Sequence, residues 1–465
     1  MGNNVSTEHQ PIVDGQGVRR PETTYQALLR RDRQLPADDM RTAFPTDLGL
    51  GTLSTDRYTS EAFHRLEVER MWRRTWQLAC REEEIAAVGD IVVYDLAEHS
   101  LLIVRSAPDE IKAFHNSCLH RGTKLCTADT SVSRLRCPYH GFTWSLDGRL
   151  AEVPARWDFP QIRDDKHHLP EAKVERWGGF VFINMDRAAA PLEHYLEDIP
   201  DHMAHMNFAD HYLSGYYRKV LPCNWKAAIE AFIEAYHVAE THPQSRGMAD
   251  EVCTQYDVLP GRRHTNRNLQ PMGVPCATLD PQPTDQAVLD EMYRLMRGNA
   301  APAIPHGHTA RTFMAEEVRR GMTEATGHDY TAFSDAETLD NIQYLLFPNM
   351  VLFRSLAIPI VYRSRPNGND PDSCIFDLML LTRVPRGGPR PDPAAVYEMG
   401  SKTFRDVAEF PPFFAQLYDQ DLSNLRAQQQ GMHASVTKLV ELSRYQEVRI
   451  RHLHRTLDSY LSDDG

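Results

Sequence analysis

Cys118-Leu119-His120-Arg121-Gly122 and Cys137-Pro138-Tyr139-His140-Gly141-Phe142-Thr143-Trp144 are two versions of one short loop, each offering a thiolate and an imidazole. Together they supply the ligand set of a Rieske [2Fe–2S] cluster, in which two histidines replace two cysteines on one iron. A structural zinc accepts the same donors in the same proportions. A zinc finger, however, reads Cys, Cys, His, His with a helix under the histidines, whereas this chain reads Cys, His, Cys, His. Gly122 and Gly141 behind the two histidines let backbone N–H groups approach cluster sulfurs. Order and flanks favour the cluster over zinc.

Short β-type runs surround the loops: Ile91–Tyr94, Leu101–Val104, Ile111–Phe114 and Phe180–Ile183. They predict a small antiparallel β domain interrupted by the two metal loops, with Asp147-Gly148 as a hairpin turn. A free-standing cluster carrier needs only about a quarter to a third of 465 residues, so a second domain is expected. The expected division is an arm over 1–55, the cluster domain with an N-terminal helix over 56–190, a larger domain over 191–450, and a tail over 451–465. The larger domain reads as α+β. Strands are expected over 214–221 and within 341–383, and helices over 223–239, 283–297 and 396–430. The Pro-, Gly-, His- and Arg-rich stretch 243–312 reads as a loop lid.

The balance of 51 basic against 64 acidic residues, net −13, argues against a nucleic-acid or anionic-membrane surface. No apolar run approaches the ~20 residues of a membrane span, and no signal-peptide core is apparent. Cys80, Cys126, Cys223, Cys253, Cys276 and Cys374 form no disulfide-like framework and read as small apolar residues. A soluble, cytoplasmic protein is expected. Met1-Gly2-Asn3-Asn4-Val5-Ser6 matches a short, degenerate myristoylation pattern.

A second metal site is suggested by Glu230-Ala231-Phe232-Ile233-Glu234-Ala235-Tyr236-His237-Val238-Ala239-Glu240-Thr241-His242-Pro243. Histidines five apart diverge by roughly 140° on a regular helix. Pro243 disfavours helical geometry at the residue before it, freeing His242 to swing toward His237. A carboxylate would complete a 2-His-1-carboxylate triad suited to Fe(II) and O2. In the segment 413–425, Phe414, Leu417, Tyr418, Asp421 and Leu425 share a helical stripe, so Asp421 faces the core and Asp419 does not. Gly431 reads as the stop of that helix.

The motifs CLHRG and CPYHGFTW, followed by the paired histidines and the later aspartate, resemble the alpha subunits of Rieske non-heme iron ring-hydroxylating oxygenases over roughly residues 55 to 435. The resemblance implies a small antiparallel Rieske domain preceding a helix-grip, START-like catalytic domain, an antiparallel sheet flanked by helices. It implies Cys118 and Cys137 on the inner iron, His120 and His140 on the outer one, and Trp144 packed beside the second loop. It further implies Fe(II) at His237, His242 and Asp421. Electrons from NAD(P)H would arrive through a reductase, with or without a ferredoxin, and O2 would be used to hydroxylate a substrate. Head-to-tail trimers, homotrimeric or α3β3, follow from the same likeness, with electrons passing from His140 of one subunit through Glu234 of the next to His237. Glu234 stands where the family more often has aspartate, and the segment Glu230–His237 is one residue shorter than in the naphthalene-dioxygenase type.

Phe232, Ile233, Leu346 and Phe353 are the expected apolar pocket residues. Basic residues do not gather near the motif helices, which favours an uncharged, hydrophobic aromatic or polycyclic substrate. Cis-dihydroxylation, monohydroxylation and oxidative O- or N-demethylation share the same residues. A Rieske electron carrier with no second iron is the non-enzymatic alternative.

Overall fold

The computed structural model describes residues 24–462; the myristoylation-like motif lies outside them. The smaller domain is a seven-stranded antiparallel sheet in the order 77–81, 180–184, 171–177, 110–115, 99–107, 90–96 and 130–131. A three-stranded sheet over 135–136, 143–144 and 150–152 packs beside it and carries the second cysteine-histidine loop. The larger domain is an eight-stranded sheet ordered 255–257, 265–270, 341–346, 350–353, 360–367, 370–383, 211–221 and 397–398, antiparallel except for its last pair. Each face buries its own core. One packs against helices Trp225–Glu230, Pro412–Ala434 and Val448–Leu461; the other packs against 192–208, 330–339 and the arm.

The strand Gln77–Arg81 ends the smaller sheet and would leave edge carbonyls unpaired. Arg363, buried in the larger sheet, donates to the carbonyls of Leu78 and Ala79 and is held by Asp377 at 2.9 Å. An edge strand is thereby sealed by a neighbouring domain's guanidinium. The helical segment 56–72 also bridges the two domains. Glu67 accepts from Lys226 Nζ at 2.6 Å and from Trp225 Nε1 at 3.0 Å, all three fully buried. Tyr58 reaches Glu230 at 3.0 Å. The helix expected to open the smaller domain thus packs largely on the larger one.

The described part of the arm, residues 24–55, lies on its own chain: Asp39 pairs with Arg354 and Arg267, and Asp32 with Arg311. Expected boundaries are corrected further along the chain. Residues 243–312 are not a loop lid throughout, since 255–257 and 265–270 join the sheet; Asp285–Met296 is the helix expected over 283–297. Residues 451–461 are not a tail; they belong to the helix Val448–Leu461, with Leu453 and Leu457 buried. The helix expected over 396–430 starts at Pro412, whose fixed φ suits a first helical position, and runs through Gly431 to Ala434. Its intrahelical bonds carry the glycine past the expected stop.

Glu337 shows how charge is spent beneath the sheet. Burial alone would raise its pKa, but His205 at 3.0 Å, Arg354 at 2.7 Å and the Ser334 hydroxyl at 2.7 Å lower it from 4.5 to about 2. A depressed carboxylate stabilises the fold above its unfolded pKa and loses that contribution as pH falls toward the folded value. The stability gap between wild type and Glu337→Gln should therefore narrow by about 2 kcal/mol between pH 5 and pH 3. Urea midpoints across that range check it; a constant gap would contradict the assignment.

Candidate metal centres

The two cysteine-histidine loops repeat each other in backbone detail. Cys118 N–H donates to Thr123 O at 2.9 Å and Gly122 N–H to Cys118 O at 2.9 Å; Cys137 N–H donates to Phe142 O at 2.8 Å and Gly141 N–H to Cys137 O at 3.1 Å. Both turns close through a left-handed glycine, φ +79° at Gly122 and +77° at Gly141. A Cβ at Gly141 would also meet the Arg136 guanidinium at 2.8 Å. The turns bring four donors together. Cys118 and Cys137 are buried, and the rings of His120 and His140 lie 4.6 Å apart.

His120 Nδ1 is buried without any hydrogen-bond partner among the described residues, as expected of a nitrogen reserved for a metal. Phe142 stacks on the same ring at 4.8 Å. Trp144 is fully buried and anchors through Nε1 to His167 O at 2.9 Å. The donor set fits a [2Fe–2S] cluster. At the loop tips Leu119 and Tyr139 are exposed, with Arg121 over the Tyr139 ring.

The larger domain brings His237, His242 and Asp421 together, with donor atoms all within 4.8 Å of one another. Asp421 Oδ1 lies 2.8 Å from His242 Nε2 and 3.5 Å from His237 Nε2. The opposite ring nitrogens are occupied. His237 Nδ1 meets Glu234 Oε1 at 2.5 Å, and His242 Nδ1 meets Gln420 Oε1 at 3.0 Å. Protons held on both Nδ1 atoms leave both Nε2 lone pairs directed at one point beside Asp421, which fits a 2-His-1-carboxylate metal. Burial would pull the His237 pKa down, but the Glu234 hydrogen bond and charge, with Asp421, raise it.

Gln420 was not foreseen. It is the residue before Asp421, and Gln244 Nε2 fixes its carbonyl at 2.7 Å. Gln420→Ala should lower iron affinity roughly 10- to 100-fold, read as iron retained after titration with a chelator; unchanged retention would remove it from the site. Asp419 points elsewhere, as its position on the stripe requires: it accepts the N–H groups of Phe404 and Arg405 at 2.7 and 3.1 Å.

The helix unwinds earlier than expected. It ends at Glu230, and only Val238–Thr241 is helical before His242. Proline alone does not account for this. Tyr256 OH accepts the Ala235 N–H at 3.0 Å, Arg449 donates to Ile233 O at 3.1 Å, and Tyr362 to Phe232 O at 3.4 Å. Distant side chains thus satisfy the backbone groups that the helix gives up. Glu234 still reaches His237, through the side chain and through the His237 N–H at 3.1 Å, although the two do not share a regular helical face.

A cavity of about 130 Å³ opens beside the triad, room for about four waters at roughly 30 Å³ each. Phe232 and Phe353 line it, with Tyr362, Phe414 and Tyr418. Ile233 and Leu346 do not. Ile233 is wholly buried in the core, and Leu346 points to the other face of its strand. Alternation along that strand sends Asn341 and Gln343 to the cavity instead. Cys276 also departs from a plain apolar role, lying 3.2 Å from Glu251 Oε1 and 2.8 Å from Thr278 Oγ1.

Comparison with known proteins places these features. The model of the Rieske [2Fe–2S] domain matches residues 75–163, and that of the ring hydroxylating alpha subunit catalytic domain matches residues 205–463. The chain is 34% identical over 198 residues to the biphenyl 2,3-dioxygenase subunit alpha of Rhodococcus jostii, covering 41% of this chain and 43% of that protein. It is 30% identical over 222 residues to the carnitine monooxygenase oxygenase subunit of Escherichia coli, covering 47% and 58%. These matches span about half the length of the curated relatives. Among solved structures, naphthalene 1,2-dioxygenase with indole bound superposes with a TM-score of 0.64 at 18% identity, over 91% of this chain and 94% of that one. A quaternary ammonium Rieske monooxygenase in complex with L-carnitine gives 0.62 at 17%, over 90% and 97%. At those identities the likeness is one of fold.

Proposed function

The chain belongs to the family of ring-hydroxylating alpha subunits with a Rieske domain ahead of the catalytic domain, and from that premise we propose that it is a terminal oxygenase acting on a small, uncharged aromatic or polycyclic molecule. The observation that carries the reading is the paired restraint of His237 and His242: each Nδ1 is held by Glu234 or Gln420, and each Nε2 faces Asp421 beside a largely aromatic cavity. When bound, the cluster relays single electrons and the mononuclear iron activates O2. The chain's own part is to hold ligand tautomers, exclude water and place the substrate. Phe232, Tyr362 and Tyr418, with ring centroids 5.1 to 6.4 Å apart, form the aromatic wall. Among the described residues, no lysine or arginine lines the cavity.

Electrons reach the site from a reductase, with or without a ferredoxin, and cross between subunits of a head-to-tail trimer. Support comes from a depression on the outer side of His237 lined by Glu230, Glu234, Glu441 and Glu447, opposite in charge to the Arg121 at the cluster tip. Glu234 is the bridging acid in this route. Monooxygenation, including oxidative N-demethylation, is the second reading, favoured by the likeness to the carnitine monooxygenase. Oxygen uptake with a surrogate reductase, run under ¹⁸O2 across aromatic hydrocarbons, phenols, methoxy compounds and methylated amines, tests both. Labelled product from at least one class is expected. Oxygen uptake that never yields a labelled product would overturn the proposal.

A further inference from the structure

One part of the cavity's lining is polar although it belongs to a buried sheet. Asn341 and Gln343 lie two residues apart on one strand and share a face; Gln270 pairs with Asn341 and Phe353 with Gln343 on the neighbouring strands. All four line the cavity. Gln343 is held at both ends of its amide: its carbonyl accepts from Arg449 at 2.7 Å and its NH2 donates to Tyr362 OH at 2.7 Å. The other pair is not. Asn341 Nδ2 donates to Gln270 Oε1 at 3.1 Å, while Asn341 Oδ1 is buried and accepts nothing among the described residues.

Two amides joined by one hydrogen bond keep one carbonyl and one NH2 group uncommitted, and this holds in either orientation of the pair. We propose that Asn341 and Gln270 form a polar subsite for a neutral group that both donates and accepts a hydrogen bond, a hydroxyl or a secondary amide, carried by an otherwise aromatic substrate. The proposal rests on the oxygenase reading and narrows its substrate class. A bare hydrocarbon offers the pair no hydrogen bond and leaves a buried acceptor unpaired. A carboxylate cannot donate to that acceptor, meets no lysine or arginine on the lining among the described residues, and shares the cavity with Glu234 and Asp421. A hydroxyl or amide completes the pair's hydrogen bonds and keeps the aromatic body against Phe232 and Tyr418.

The test is calorimetric titration of the anaerobic holoprotein with single-ring probes: benzene, phenol, N-methylbenzamide and benzoate. The hydroxyl or amide probe should bind roughly 10- to 100-fold more tightly than benzene or the carboxylate, and the two arms show which group is preferred. Asn341→Leu should abolish that preference with iron and sulfide contents unchanged; Gln270→Met, close in shape, should weaken it if the leucine variant does not fold. Equal or tighter binding of benzene, binding of no probe, or a preference that survives both substitutions would overturn the subsite. A preference without labelled product under turnover conditions supports the subsite and counts against the oxygenase reading alone. Labelled product without the preference does the reverse.

Discussion

Asp421→Ala should leave the red-brown cluster intact, lower the iron content by one atom per chain, and reduce product formation at least ~10²-fold. Asp421 is the carboxylate that both Nε2 atoms face, at 2.8 and 3.5 Å, and it sits 8% exposed on an otherwise apolar helical stripe. Removing it leaves two imidazoles without the charge that pairs with a cation. The control is Asp419→Ala, two residues away. Asp419 caps the backbone N–H groups of Phe404 and Arg405, so its loss should cost about 1 kcal/mol of stability and no iron. Iron and acid-labile sulfide assays on both variants decide the matter. Equal iron loss in the two would show a general effect of disturbing the helix.

Glu234→Gln should keep both metal centres and fail at a different step. The carboxylate holds His237 by two hydrogen bonds, at Nδ1 and at the backbone N–H, and it borders the acidic depression that a neighbouring cluster tip would enter. Glutamine retains the shape and one carbonyl but loses the charge. Product formation should fall roughly 10- to 100-fold, with cluster colour and iron content near wild type. In a single turnover the pre-reduced cluster should remain reduced after O2 and substrate are added. Glu234→Asp should recover part of the rate, because it restores the charge on a shorter arm. Full turnover by Glu234→Gln would exclude the bridging role.

Both metal-site motifs were readable because they follow from local chemistry. Paired Cys-x-His and Cys-x2-His loops specify their own turns through Gly122 and Gly141. Asp421 declares itself as a carboxylate where period 3.6 demands an apolar residue. The unwinding of 231–237 was not readable in the same way. The sequence there is rich in helix formers, and it yields only because Tyr256, Tyr362 and Arg449 arrive from 21 to 216 residues away to take its backbone hydrogen bonds. Pocket residues failed for a related reason. Leu346 was chosen for its apolarity, but strand register decides the face, and the cavity face of that strand belongs to Asn341 and Gln343. A polar residue recurring at period two in a buried strand was the signal that could have found them. Ile450, Leu453, Leu457 and Leu461 likewise carry a helical stripe, at i, i+3, i+7 and i+11, which their basic and polar neighbours obscure.

Elemental analysis of the purified holoprotein decides whether two distinct iron centres coexist in one chain. Three irons to two acid-labile sulfides per chain are expected, two irons in the Rieske cluster and one at His237, His242 and Asp421, with Asp421→Ala falling to two irons and two sulfides. Two irons and two sulfides in the wild type, unchanged by Asp421→Ala, would contradict it and leave an electron carrier.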